Sequence, residues 1–315
     1  MKNKTGTGKK PLRRFLLISA AVVITAVLIF SALPVGQSFW AWAGERSGLQ
    51  AYPSYVKEYP LNIYFIDVGK ADAILIECEG DYALLDAGTS DKADEIDVWL
   101  RRMNVDRLSY VFASHPDKDH IGSMAEILSR YPVDTFIQPQ IPLDLVPDTE
   151  EYHAMIRQLE EANVPVQNIS AGESYFLGGA VIDVLSPEAD RKYADVNDWS
   201  LVLKLRYGDF SVLFCGDIEK QAEKDLCLNG ADLSADVLKV PHHGSKTSSS
   251  GDFLQAVGAR YAVICVGPDK NNLPKKSVLK RLDEMETEVY RTDLDGTVIF
   301  TTDGDITKIY QENAE

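Results

Sequence analysis

The sequence predicts a mixed α/β (α+β) domain in which two β-sheets pack face to face with helices outside, preceded by one N-terminal transmembrane helix. Two strand-rich blocks, each followed by helical segments, indicate the two helix-covered sheets. An uncharged apolar run over residues 15–33 indicates the membrane segment. Four of the five histidines lie in two short clusters, at 114–120 and 241–245, each directly after a predicted strand.

The first 60 residues divide into three segments. Residues 1–14 contain six basic and no acidic residues, which predicts a cytoplasmic tail. The nineteen residues of 15–33 are close to the roughly 20 that cross a bilayer as a helix, and exceed the roughly 7–15 of a cleaved signal sequence. We therefore expect a retained signal-anchor, a linker over 34–60 and an exported domain over 61–313. The alternative is cleavage after Ala41-Trp42-Ala43, which would release a secreted protein.

In the first block, runs of aliphatic and β-branched residues predict strands, and apolar residues at helical spacing predict helices. Leu61–Val68 is predicted to be a buried strand that ends at Gly69, and Ala93–Met103 an amphipathic helix. The other predicted elements are the hairpin strands Ala73–Cys78 and Tyr82–Leu85, the strands Leu108–Ala113 and Thr135–Gln138, and the helices Ile121–Tyr131 and Thr149–Asn163.

The second block opens with a predicted hairpin that turns at Gly208-Asp209. Its strands are Ser200–Arg206 and Phe210–Cys215. The remaining predicted elements are the helix Ile218–Leu228, the strands Ala235–Val240 and Tyr261–Val266, the helix Lys276–Glu286, and three short strands within Glu288–Tyr310.

The candidate site residues have the same placement relative to the strands: each follows the end of a predicted strand. Asp86, His115, Asp217 and His242 lie one to three residues past an apolar run. Strand ends on one rim of a sheet meet in space, so these side chains can converge. Imidazole and carboxylate groups at short spacing are typical ligands of a divalent metal. Asp67 and Asp86 are predicted to hold loops or histidine N–H groups behind the ligands rather than to bind metal.

The predicted metal ligands are the polar side chains of the two clusters and the carboxylate between them, namely His115, Asp117, Asp119, His120, Asp217, His242 and His243. His115 and Asp117 are expected at one ion, and Asp119 and His120 at the other. Asp217 would bridge the two ions, and either His242 or His243 would complete the second site. Two divalent ions about 3.5–4 Å apart can bind a hydroxide and clamp the oxygens of a hydrolysed ester. Asp119 is predicted to be the catalytic residue that orients this nucleophile.

The net charge limits the choice of substrate. The chain carries −16, and the six basic residues of 1–44, which contain no acid, leave −22 for the remainder. Nucleic-acid-binding domains carry basic surfaces, because phosphate neutralisation supplies most of their affinity. Nucleic acid therefore stays a possible but disfavoured substrate.

The motifs resemble those of the metallo-β-lactamase superfamily, and within it the ComEC-like branch of DNA-uptake competence proteins. The motifs that carry the resemblance are Phe65-Ile66-Asp67-Val68-Gly69, Leu85-Asp86-Ala87-Gly88, Ser114 to Gly122, Asn197 with Ser200-Leu201-Val202, Gly216-Asp217 and Lys239 to Lys246. The resemblance implies an αβ/βα four-layer sandwich with two metal ions between its sheets. It also implies hydrolysis, with phosphodiesters, and among them DNA, as the favoured substrates.

The chain departs from the superfamily's pattern at two ligand positions. Asp117 stands at the second histidine of the His-x-His-x-Asp-His signature, and the third-motif histidine is absent, with Asn197 or Asp198 as the nearest polar residue. The two divalent ions are therefore expected to be Zn²⁺ or Mn²⁺, with the first the more labile. Ser245 and Lys246 are predicted to grip the substrate phosphate. The alternatives are a small ester or lactone hydrolase, and a non-catalytic metal-binding module that partners envelope or competence proteins.

Overall fold

The computed structural model describes Phe30 and residues 58–313. Two β-sheets pack against each other in this part of the chain, so the prediction of a mixed α/β domain with two facing sheets is confirmed. Apart from Phe30, the predicted tail, signal-anchor and most of the linker lie outside the described residues. Within those residues, no helix combines the length and the apolar composition that a membrane crossing requires.

The first sheet has eight strands. They are β1 (Leu61–Phe65), β2 (Ile74–Cys78), β3 (Asp81–Leu85), β4 (Leu108–Phe112), β5 (Val133–Pro139), β6 (Val166–Ile169), β14 (Val298–Thr302) and β15 (Thr307–Gln311). Their order is β15-β14-β1-β2-β3-β4-β5-β6. The run β3-β4-β5-β6 is parallel, and the other pairs are antiparallel.

The second sheet has seven strands. They are β7 (Ser174–Leu177), β8 (Ala180–Ser186), β9 (Val202–Tyr207), β10 (Phe210–Phe214), β11 (Val237–Lys239), β12 (Tyr261–Ile264) and β13 (Glu288–Arg291). Their order is β13-β12-β11-β10-β9-β8-β7. The run β10-β11-β12-β13 is parallel, whereas β7, β8, β9 and β10 pair antiparallel. Each sheet thus has one parallel part.

Helices cover the outer face of each sheet. They are α1 (Ala93–Arg102), α2 (Lys118–Ile121), α3 (Met124–Arg130) and α4 (Glu150–Glu161) in the first half, and α5 (Lys220–Leu228), α6 (Gly251–Val257), α7 (Lys276–Glu284) and α8 (Thr292–Asp295) in the second. Buried residues of α1, α3 and α4 join one apolar cluster with the first sheet. Those of α5, α6 and α7 join another with the second sheet.

The third apolar cluster lies between the sheets and holds them together. Phe65 of β1 and Phe214 of β10 face each other in it, with ring centroids 6.1 Å apart. The next residue along β1, Tyr64, points to the opposite side and packs on Trp99 of α1, at 5.5 Å. Because side chains alternate along a strand, a strand covered on both faces must be apolar at almost every position. This explains the continuous apolar runs in the sequence.

Several predicted boundaries need correction. The predicted strand Leu61–Val68 ends at Phe65, and the strands β6, β7 and β8 and the helix α6 were not predicted. The hairpin of β7 and β8 turns at Gly178-Gly179, a glycine pair that is itself a sequence signal for a tight turn. Helix α6 has seven residues, which is too short for a clear apolar period.

The predicted helix Ile121–Tyr131 is two helices that separate at Gly122-Ser123. The amide of Gly122 donates to Gly88 O at 2.8 Å, and that of Ser123 to Ala87 O at 3.2 Å. These amides therefore donate hydrogen bonds to carbonyl oxygens of the loop after β3 instead of to the preceding helical turn. The interruption holds the loop that carries Asp86 against the segment that carries His120.

We expect Gly122→Ala to destabilise the domain by about 1–3 kcal/mol, the usual cost of overpacking. A Cβ at this position would lie 2.4 Å from Ser90 N and 2.5 Å from Lys118 O. The matched control is Gly251→Ala at the start of α6, where no atom lies within 4 Å of the added carbon. Urea denaturation of the full-length chain measures both. Equal unfolding midpoints for the two variants would contradict this account of the loop.

Candidate metal centre

The parallel parts of the two sheets bring the predicted residues to one place. Asp86 follows β3 and His115 follows β4, and these strands are parallel neighbours. Asp217 follows β10 and His243 follows β11, which are parallel neighbours in the second sheet. The carboxyl ends of parallel strands open on the same edge, where α/β sheets bind ligands. Side chains from both sheets meet here, because His120 Nε2 lies 3.3 Å from Asp217 Oδ1.

Asp86 holds the side chains of the first histidine cluster, residues 114–120, in place. It is fully buried and has φ of +62°, a left-handed conformation that is uncommon outside glycine. Its carboxylate accepts hydrogen bonds from the amide and the hydroxyl of Ser114, both at 2.7 Å, and lies 2.8 Å from His120 Nδ1. Asp86 therefore orients His120 from behind, with its own oxygens occupied.

The hydrogen bonds assign the proton of each buried imidazole. Asp86 can only accept, so Nδ1 of His120 carries a proton. Nδ1 of His243 lies 2.7 Å from Cys265 O, and a carbonyl likewise only accepts. Since Ser114 Oγ donates to Asp86, it accepts from His115 Nδ1 at 3.1 Å. All three rings therefore have Nε2 available as the ligand atom.

These Nε2 atoms point into the centre without partners. Nε2 of His115, His120 and His243, together with Asp217 Oδ1, are buried and make no hydrogen bond. Three groups of candidate ligand atoms lie within 4.8 Å in the described residues. Two face the centre, namely His115 with His120 and Asp217, and Asp119 with His120 and His243; the third, Asp72 with Asp86 and His120, lies behind it. His243 Nε2 lies 3.5 Å from Asp119 Oδ2 and 3.6 Å from Asp217 Oδ2.

Nitrogen and oxygen atoms held this close need positive charge between them, either as protons on the imidazoles or as a metal ion. Buried nitrogen and oxygen atoms without partners are costly, and unprotonated nitrogens that face carboxylate oxygens would repel them. Ligands about 2.0–2.2 Å from a tetrahedral ion are about 3.4 Å from one another, close to the separations described above. The donor set therefore fits a divalent metal ion, and neither Asp117 nor His242 belongs to the two groups.

The backbone separates the roles of His242 and His243. Both have φ of +50°, and Gly244 follows with φ of +76°. This left-handed run turns the two rings apart, with their planes at 78°. His243 is fully buried, whereas the side chain of His242 is 22 % exposed, with Nδ1 3.3 Å from Glu219. Non-glycine residues with a left-handed backbone are strained, and they occur more often at functional sites than elsewhere.

Lys239 and Asp72 form an ion pair behind the centre that the sequence reasoning missed. Nζ of Lys239 contacts Asp72 Oδ2, and both side chains are about 1–2 % exposed. Burial alone would lower the pKa of Lys239, but the carboxylate of Asp72 outweighs it and raises the pKa above its ordinary value. The sequence signal for this ion pair was a lysine inside the apolar strand β11, since a buried lysine requires a partner of opposite charge.

Lys70 is a second missed residue, and it lies at the mouth of the centre. Its Nζ contacts Asp119 Oδ2, the same oxygen that approaches His243. Burial opposes the charge of Lys70, but the contact with Asp119 raises its pKa. Lys70 therefore supplies a positive charge next to a candidate metal ligand.

The electrostatics of the centre follow from its crowded carboxylates and imidazoles. Burial alone would lower the pKa of His120, but Asp217 and Asp86 raise it well above its ordinary value. Without a metal ion Nε2 of His120 therefore holds a proton next to Asp217, and a bound metal ion would displace this proton. Burial would raise the pKa of Asp217, yet the neighbouring His243 and His120 hold it well below. The pKa of Asp119 is depressed for the same reason, chiefly by His243 and His120 against the effect of burial. The carboxylates are therefore ionised and able to hold a cation.

A family model described as the metallo-β-lactamase superfamily matches residues 66–267, which include every candidate ligand. The chain belongs to the metallo-β-lactamase superfamily. Proteins of this superfamily are metal-dependent hydrolases that bind divalent ions. The expected resemblance to ComEC-like competence proteins is also confirmed by the curated relatives.

Two relatives and one solved structure illustrate the likeness. The chain is 32 % identical over 203 residues to ComE operon protein 3 of Bacillus subtilis, covering 64 % of this chain and 25 % of that protein. It is 28 % identical over 284 residues to competence protein ComA of Neisseria gonorrhoeae, covering 89 % and 38 %. The chain thus spans well under half the length of these relatives. The metallo-β-lactamase fold protein YhfI from Bacillus subtilis has a TM-score of 0.50 at 12 % identity, over 76 % of this chain and 98 % of its own. That likeness shows the fold alone.

The other predicted site residues lie around the centre. Asp117 is half-exposed, with Oδ2 3.8 Å from His115 Nε2. The carboxylate of Asp198 accepts from the amides of Glu219 and Ala222 at the start of α5, and so caps a helix. Asn197 Oδ1 is buried without a hydrogen-bond partner. Asp67 is exposed and accepts from Gly69 N at 3.1 Å, which fixes the turn after β1.

Of the two predicted phosphate-binding residues, Ser245 bonds Thr247 Oγ1 at 2.9 Å, and Lys246 is exposed. Lys246 lines a cavity of about 310 Å³ with Asp198 and Glu219. Among residues 58–313 it has no ion-pair partner, so it is an exposed cation beside the loop of His242.

We expect His243→Ala to weaken metal binding by about 100-fold or more, because it deletes a buried ligand atom. His242→Ala is the matched control, with the same backbone conformation one residue earlier. It should change the affinity by less than about three-fold, since losses of this size accompany surface changes. Competition with a chromogenic chelator measures both affinities. The reverse ranking would show that His242 is the ligand.

We expect Lys70→Met to tighten metal binding by about ten-fold, because the ammonium group competes with the metal for Asp119 Oδ2. Lys92→Met, which removes a lysine that pairs with Glu95 on α1, is the control and should leave the affinity unchanged. Chelator competition again provides the measurement. An unchanged or weaker affinity of Lys70→Met would show that Lys70 does not compete for Asp119.

Proposed function

We propose that this chain is an exported, membrane-anchored, metal-dependent phosphodiesterase of the ComEC-like branch. The observation that carries the proposal is the set of four buried ligand atoms without partners, contributed by His115, His120, His243 and Asp217. The names of the relatives, which include a competence protein and a recombination protein, agree with a role in nucleic-acid processing. Phosphodiesters, with DNA among them, are the substrates favoured by this kinship.

Two divalent ions, Zn²⁺ or Mn²⁺, are proposed to bind in the two groups of ligand atoms. His115 and Asp217 would hold one ion, and Asp119 and His243 the other, with His120 at the border of both groups. Such ions supply Lewis acidity, which neutralises charge on the phosphoryl group and makes water a better nucleophile near neutral pH. A more labile first ion agrees with the place of Asp117, whose half-exposed carboxylate lies outside the group of His115 and Asp217 and leaves that ion one ligand short.

The protein's own residues bind and orient the reactants. Asp119 is 15 % exposed and ionised, so it can accept a hydrogen bond from the attacking water and fix its direction. Lys70 beside it offsets the negative charge that the phosphodiester brings. Ser245 and the exposed Lys246 are proposed to hold a non-bridging phosphate oxygen from the other side. Asp86 and Asp72 keep the imidazoles in place during the reaction.

The proposed location rests on the N-terminal sequence. Six basic residues precede the uncharged residues 15–33, which is the arrangement of a signal-anchor with its C-terminal part outside the cytoplasm. The exported domain would then act on substrates at the outer face of the membrane. The four cysteines occur as free thiols in the structure.

We expect the purified chain to hydrolyse bis-p-nitrophenyl phosphate, to lose activity with a chelator, and to regain it with Mn²⁺ or Zn²⁺. Asp217→Ala should lower turnover by about 1000-fold or more and reduce the bound metal. Asp209→Ala is the matched control at the opposite end of β10, where the side chain is exposed. Stoichiometric metal without turnover of phosphodiesters would refute the enzyme. Full activity of Asp217→Ala would refute the site.

A further inference from the structure

A cavity of about 630 Å³ adjoins the metal centre in the first sheet. It lies at the carboxyl ends of the parallel strands β4, β5 and β6, the edge where ligands bind in α/β sheets. His115 and Pro116, which follow β4, form the wall shared with the metal centre. A group attached to a phosphate at the metal ions could therefore enter this cavity directly.

The lining of the cavity is uncharged apart from the shared histidine. It contains no lysine, arginine, aspartate or glutamate. Amide side chains come from Gln138, Gln140 and Asn168, and apolar walls come from residues such as Ile141 and Met155. A second phosphate would find no cation here, so the cavity is unsuited to the backbone of a nucleic acid.

The amides lie at one edge of the cavity. Gln138 and Asn168 face each other on the adjacent strands β5 and β6, and Gln138 Nε2 donates to Asn168 Oδ1 at 2.8 Å. Gln140 is exposed, and its side chain makes no hydrogen bond within the described residues. An amide offers a donor and an acceptor in one plane. The occupant therefore needs an apolar face and an edge with hydrogen-bonding groups.

We propose that this cavity binds the nucleobase attached to the phosphate that the metal centre cleaves. This proposal rests on the proposed phosphodiesterase function, and it identifies the base as the part of the substrate that determines how tightly the protein binds it. A nucleobase is uncharged, has an apolar face for Ile141 and Met155, and has a donor and acceptor edge for Gln140. Base contacts of this kind also give a strongly acidic protein affinity for a nucleotide without a basic surface.

The test compares two nucleotides, which carry the phosphate on either side of the sugar, with a sugar phosphate that lacks the base. The full-length chain, kept in mild detergent and loaded with Mn²⁺, is titrated calorimetrically with thymidine 5′-monophosphate, thymidine 3′-monophosphate and 2-deoxyribose 5-phosphate. We expect the better nucleotide to bind about ten-fold more tightly than the sugar phosphate. In Gln140→Glu, which puts a carboxylate at the base edge, this ratio should fall to about one. Gln255→Glu makes the same change at an exposed position of α6 and should preserve the ratio.

Each outcome decides between the two proposals. Equal affinities of the wild-type chain for nucleotide and sugar phosphate, or no binding of either, would overturn the base pocket. A ratio that survives in Gln140→Glu would overturn it as well. Base-dependent binding without turnover of bis-p-nitrophenyl phosphate would instead refute the phosphodiesterase and leave the pocket standing. Turnover without base dependence would refute the pocket alone.

Discussion

The buried ion pair between Lys239 and Asp72 is the interaction on which the geometry of the centre depends. Lys239 extends from β11 in the second sheet, and Asp72 precedes β2 in the first, so the pair joins the two sheets at the rim. The main chain of Asp72 accepts from Gly88 N at 2.8 Å and donates to Asp119 O at 3.1 Å. Removing one partner of such a pair leaves a buried charge, which costs about 3–5 kcal/mol.

The ion pair also explains why the imidazoles have fixed orientations. Asp72 Oδ1 lies 3.5 Å from His243 Nδ1, and Oδ2 lies 3.8 Å from His120 Nδ1. With Asp86 behind His120 and Cys265 O behind His243, negative atoms surround the protonated side of both rings. The opposite sides, at Nε2, thereby face the centre, where a metal ion would bind in place of a proton. Orientation from behind is the usual means by which metal-binding histidines are held.

The fold class and the side chains that meet at the candidate centre could be predicted from the sequence, because both follow from local pattern; the ligand set itself stays a prediction. His115 and Asp217 were proposed because each stands just past an apolar strand, and His120 because it closes the short cluster that begins at His115. The choice between His242 and His243 could not be made, because it depends on a left-handed backbone that leaves no compositional trace apart from Gly244. The contact of Lys70 with Asp119 depends on where the turn after β1 places its side chain, which spacing does not define.

Lys239 and Lys70, the two lysines at the centre, differ in exposure, and we infer from this difference that they have different roles. Lys239 is about 1 % exposed and has no path to solvent without opening the sheets, so its charge is a permanent part of the fold. Lys70 is 24 % exposed and extends from a turn at Gly69, where φ is +79°. A flexible four-carbon side chain at the mouth can leave Asp119 when a stronger cation arrives. The centre therefore combines one fixed ammonium group, which sets the ligand geometry, with one exchangeable group, which neutralises Asp119 until metal and substrate replace it.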